Sequence, residues 1–144
     1  METTTQTKRR LLWVGLQTIL ASVVGTLAVR AVALALLDIP PEFPPLAGPG
    51  PTVFFTVVGV FSGVVVFAVI RRFATQPIRL FRIVAAVALL VSLLPDLQLL
   101  NDAASSTFPG ASVLAVGTLM VQHVVAAAIV VWMLTMWGSR RDAA

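Results

Sequence analysis

Between Ser92 and Asp102 the sequence reads S-L-L-P-D-L-Q-L-L-N-D, and an otherwise apolar run abruptly carries Pro95, Asp96, Gln98, Asn101 and Asp102. Arg30 and the chain's one histidine, His123, interrupt two further apolar runs. On translocon-type scales an Asp, Lys or Arg near the centre of a membrane helix costs roughly 2.5–3.5 kcal/mol, so each such group needs a compensating partner or a function. Asp96 has two readings. It is a carboxylate that exchanges a proton or binds a cation, as intramembrane carboxylates of transporters do, or it pairs with Arg30 or caps a broken helix. Pro95 lacks an N–H and frees a carbonyl on the preceding turn, which in lipid needs a neighbour or a water.

His123 has no second histidine and no cysteine to join it, which excludes multi-histidine haem centres and Cys-ligated metal sites. Two roles remain: a group that changes charge near neutral pH or hydrogen-bonds Asp96, and a satisfied histidine bridging two helices, with Gln122 beside it turned to another face. Gln17, two turns into the first apolar run, reads as an interhelical donor. There is no G-x-S-x-G, no H-E-x-x-H, no Gly-rich phosphate loop and no spaced pair of catalytic carboxylates. No motif therefore supports an enzyme, and no cofactor is expected.

The elements that must position these residues follow from composition. Of 144 residues, 58% are hydrophobic and only 11% charged, against about a quarter charged in soluble domains. The apolar residues form four long blocks, which makes lipid their solvent. The net charge of +4 is carried by basic clusters between the blocks, so it reads as topology and not as a nucleic-acid footprint. Lys8-Arg9-Arg10 ahead of an apolar run imitates a signal peptide, but the run extends to Leu37, well beyond the roughly 7–15 residues of a cleavable segment.

The expected architecture is all-α: a polytopic membrane protein whose single domain, 1–144, is a bundle of four transmembrane helices at about 11–37, 52–70, 79–100 and 111–137. Residues 1–7 are expected to fray. The segment 38–51 holds six of the nine prolines and should be a stiff outer loop, either a plain connector or a lid with Phe43 and Leu46 folded over the bundle mouth. In the second helix Gly59 and Gly63 have the small-xxx-small spacing of a close helix contact. Residues 71–82 carry Arg71, Arg72, Arg79 and Arg82 and form a basic cytoplasmic loop. With Lys8, Arg9, Arg10, Arg140 and Arg141 they fall on one side, and Trp13, Trp132 and Trp137 lie near that same side. Both termini are accordingly expected in the cytoplasm. Counted at about 1.5 Å per residue, Arg30, Asp96, Asp102 and His123 come to similar depths in the outer half, which defines a candidate polar cluster.

The strings P-P-E-F-P-P-L, T-V-V-G-V-F-S-G, S-L-L-P-D-L and L-M-V-Q-H-V-V-A-A-A resemble a family of uncharacterised four-helix bacterial integral membrane proteins, over nearly the whole chain. That resemblance implies four spans in a bacterial plasma (inner) membrane, and it brings no activity and no functional residue. Three function classes stay open: a small binding or transport module with an outward-facing polar cavity, an accessory subunit in a larger membrane complex or homo-oligomer, and a lipid-modifying enzyme using His123 and Asp96 as acid and base.

Overall fold

In the computed structural model of the chain, residues 2–101 and 108–139 are described. The elements are α1 (Glu2–Leu36), α2 (Pro44–Ala47), α3 (Pro49–Phe73), α4 (Pro77–Ser92), α5 (Leu94–Asn101) and α6 (Val113–Ser139). Four stretches are long and apolar enough to cross a membrane: Arg9–Leu36, Pro49–Phe73, Pro77–Asn101 and Val113–Trp137. Even the shorter spans, of 25 residues, reach about 38 Å, more than the roughly 30 Å hydrocarbon layer.

The spans run alternately up and down. α1 packs between α3 and α6, α4 packs against α3 and α6 from the other side, and α3 and α6 meet across the middle. The start of α1 and the end of α6 thus lie at one end of the bundle, here the terminal face; the proline-rich segment lies at the other, the proline face. Near the terminal face Val60, Phe67, Phe81, Val130 and Leu134 form one apolar cluster, with Phe67 and Phe81 edge to face at 4.8 Å. Arg71 lies over the Trp137 ring at 4.8 Å and ties the end of α3 to the end of α6.

Helix α1 begins at Glu2, so the expected frayed tail is instead continuous with the span. No Pro or Gly lies between Glu2 and Leu11 to stop helix propagating backwards from the apolar stretch. The proline-rich segment also differs from a helix-free connector. Pro44 and Pro49 each open a helix, at the position where a missing N–H is harmless and the fixed φ is already helical. Ile39, Phe43 and Leu46 turn inward and join Ala33, Ala115 and Val116 in a second apolar cluster that closes the proline face. Gly110 takes φ +76°, and a Cβ there would fall 3.0 Å from the Phe43 backbone nitrogen, so the connection into α6 runs hard against this plug.

The third span is not one helix. It breaks at Leu93, whose N–H is shared between the Leu89 and Leu90 carbonyls at 3.1 and 3.3 Å, and Pro95 follows within the first turn of α5. Of the Gly59–Gly63 pair only Gly63 approaches another helix, at Val130 of α6; Gly59 has open space beside it. Among the described glycines the least room is at Gly25, where a Cβ would come within 2.9 Å of Ile129 Cδ1.

Candidate functional site: a buried carboxylate–histidine pair and a polar seam

The break between α4 and α5 sets Asp96 in the first turn of α5, against α6, where it is buried with 5% of its surface exposed. From α6, His123 Nδ1 comes within 3.2 Å of Asp96 Oδ2. The same nitrogen is 2.9 Å from the Leu119 carbonyl one turn earlier, so Nδ1 carries a proton and donates it to that carbonyl. Asp96 Oδ2 is then at ion-pair distance but off the line of that N–H, and this buried oxygen has no hydrogen-bond partner. The His123 side chain is 41% exposed at the surface of the bundle, while the carboxylate is enclosed. A protonated imidazole neutralises the buried charge; a neutral one leaves Oδ2 without compensation.

The other two members of the candidate cluster are placed differently. Arg30 does not reach Asp96. Its Nη2 donates to the Leu46 carbonyl at 2.9 Å, latching α2 to α1, and its Nε is buried without a partner. The geometric reason is the plug itself: the end of α2 brings an unsatisfied helix carbonyl to the guanidinium, which a charged donor bonds strongly. Asp102 lies outside the described residues. Among the described residues, no three His, Cys, Asp or Glu side chains come together as a metal-ligand set. An open cavity of about 480 Å³ lies at the α3–α4 connection, at the other end of the bundle from the pair.

Between the two apolar clusters runs a buried polar seam. Thr18, Ser22 and Thr26 occupy one face of α1, each at most 1% exposed, with Arg30 next in the same row. Thr26 Oγ1 donates back to the Ser22 carbonyl at 3.0 Å and lies 3.1 Å from Thr56 Oγ1 of α3. Gln122 Nε2 of α6 donates to the Thr26 carbonyl at 3.4 Å, so three helices meet at one threonine. Ser22 Oγ and Thr52 Oγ1 are buried without partners. Gln122 does face away from His123 towards α1, whereas Gln17 is exposed and Thr18 beside it points inward. The spacing of four between Thr18, Ser22, Thr26 and Arg30, repeated at Thr52/Thr56 and Thr118/Gln122, is the sequence feature that announces the seam.

Four long apolar helices, with a buried carboxylate paired to a histidine within two of the spans, define a multi-pass integral membrane protein. The chain belongs to DUF6069, a family of unknown function whose model matches residues 6–140. No curated protein and no solved structure matches it.

Proposed function

We propose that the protein is a small binding or transport module of the plasma (inner) membrane, with both termini cytoplasmic, in which Asp96 and His123 bind and release a proton or small cation. The reading rests on one observation: Asp96 Oδ2 is buried, lacks a hydrogen bond and stands 3.2 Å from a half-exposed imidazole. A structural ion pair would be expected to align its hydrogen bonds; a group that must exchange its partner needs an open valence. The orientation is supported by Arg9, Arg10, Arg71, Arg72, Arg79 and Arg82, which share the terminal face, while among the described residues Arg30 is the one basic residue near the proline face. The plug of Phe43 and Leu46 would act as the lid of this module.

The test is an acid pulse applied to liposomes that carry the purified protein and a pH-sensitive dye inside, with the membrane potential clamped. Wild-type protein should acidify the lumen roughly tenfold faster than Asp96→Asn or His123→Ala. Equal rates for all three, with sodium and potassium flux also equal, reject the reading.

One observation favours a second reading, an accessory subunit or homo-oligomer. Gly59 and Ser62 are small exposed residues on the outward face of α3 with open space beside Gly59, the kind of surface on which another helix packs closely. Light scattering after extraction in mild detergent separates the two, because a lone monomer contradicts the subunit reading.

A further inference from the structure

The terminal face carries a second arrangement that the proton or cation reading does not use. Residues 71–82 hold four arginines and no carboxylate. Two of the four are engaged by aromatic rings: Arg71 over Trp137 and Phe67, Arg72 over Phe73 at 5.8 Å. The other two, Arg79 and Arg82, are exposed, three residues apart on one side of α4, and line the open cavity of about 480 Å³ together with Thr75, Gln76 and Ile83.

The cavity also receives the N-terminal end of α4, a 16-residue helix with no acidic residue in its first turn and no side-chain cap from Gln76. Two guanidinium forks and the positive end of a helix thus face the same space, a combination that favours a phosphate group. Leading away from it, Ile83, Val87, Leu90 and Leu94 are each more than half exposed and follow one another at steps of four, three and four residues. They form a continuous aliphatic track along the outside of the third span, starting at the cavity's edge. Charge at the mouth and an apolar track beneath it match a phosphate joined to acyl chains, not a free phosphate.

We propose that this cavity is a headgroup site for an anionic phospholipid, with Arg79 and Arg82 on the phosphate and the acyl chains laid along Ile83, Val87, Leu90 and Leu94. The site is independent of the Asp96–His123 pair and lies at the opposite end of the bundle.

The test is native mass spectrometry of the full chain, delipidated in mild detergent and offered phosphatidylglycerol or phosphatidylcholine with identical acyl chains. Wild-type protein should retain phosphatidylglycerol preferentially, and Arg79→Gln with Arg82→Gln should reduce that retention roughly twentyfold. Arg9→Gln with Arg10→Gln removes the same charge from the same face and should leave retention within about twofold. Equal losses in both double variants would reduce the effect to bulk surface charge and overturn the site. Equal retention of phosphatidylcholine, or displacement of the lipid by millimolar inorganic phosphate, overturns it as well. Should the glutamine variant fail to fold, Arg79→Lys with Arg82→Lys keeps the charge but loses the planar fork; it should lose retention several-fold, and unchanged retention counts against the proposal.

Discussion

His123 Nδ1 has two acceptors to choose from, the Leu119 carbonyl at 2.9 Å and Asp96 Oδ2 at 3.2 Å, and only the first is well aligned. Removing the imidazole therefore strands a buried carboxylate, whereas replacing the carboxylate by its neutral amide leaves a histidine that is still satisfied by its own helix. His123→Ala should cost about 2 kcal/mol in equilibrium unfolding from mixed micelles, and Asp96→Asn less than about 1 kcal/mol. In the double variant most of the His123→Ala loss should vanish, giving a coupling of about 1 kcal/mol; strictly additive losses would show that the two groups do not sense each other. Residues of this kind are legible in a sequence because an ionisable group stands out in an apolar run. Thr18, Ser22 and Thr26 stand out only by their spacing of four and not by hydropathy, since a hydroxyl that bonds its own helix, as Thr18 Oγ1 does with the Val14 carbonyl at 2.7 Å, is compatible with lipid. Arg30 stands out, but its partner is the Leu46 backbone carbonyl, and no residue type announces where a carbonyl will be.

At the scale of elements, the proline-rich segment shows how far composition carries. Six prolines in 38–51 argue against a continuous helix, and they do not reveal that Pro44 and Pro49 would serve as helix starts or that Phe43, fully buried, would anchor a plug. Single helix-opening prolines and helix-breaking ones look alike until the chain's path is known. The helix break at Leu93 was foreshadowed by Pro95, though the segment 79–100 reads by hydropathy as one span. The plug is held by shape, so truncating its anchor should open it. Phe43→Ala should destabilise the proline face by about 3 kcal/mol and make a cysteine placed at the buried Ala115 react with a water-soluble maleimide. Gly110→Ala should act in the same direction from the other side. Its backbone is left-handed, and the added Cβ meets the Phe43 nitrogen and Pro40 at 3.0 Å, neither of which is the free end of a flexible side chain. Unchanged labelling in both variants would mean that the plug does not cover Ala115 in solution.

For the whole molecule, the number of spans and their apolar character follow from composition alone, while the packing order does not, because each of the four spans exposes large apolar residues, such as Leu20 and Val24 in the first, Phe55 and Val58 in the second, Val87 and Leu90 in the third and Val121 and Val124 in the fourth, that are of the same kind as those inside. Lipid offers no hydrophobic incentive for one apolar face over another, so small residues and polar seams decide which helices touch. The pattern G-V-F-S-G in α3 meets another helix only at Gly63, whereas among the described glycines the least room is at Gly25, which stands four residues after Ala21 in α1 and faces α6. A Cβ at Gly25 falls 2.9 Å from Ile129 Cδ1 and 3.3 Å from Val125 Cγ1. The nearer atom is the end of a flexible side chain, so Gly25→Ala should be absorbed by a rotamer change and cost less than about 1 kcal/mol. Gly25→Leu cannot be absorbed in this way. It should force α1 from α6, break the Gln122–Thr26 hydrogen bond that joins them, and cost about 2–3 kcal/mol in micelle unfolding. Adding Ile129→Ala to Gly25→Leu returns the volume that leucine takes and should recover more than half of the loss. Recovery of that kind would assign the loss to the contact between Gly25 and Ile129, while no recovery would mean that the leucine acts somewhere other than on Ile129.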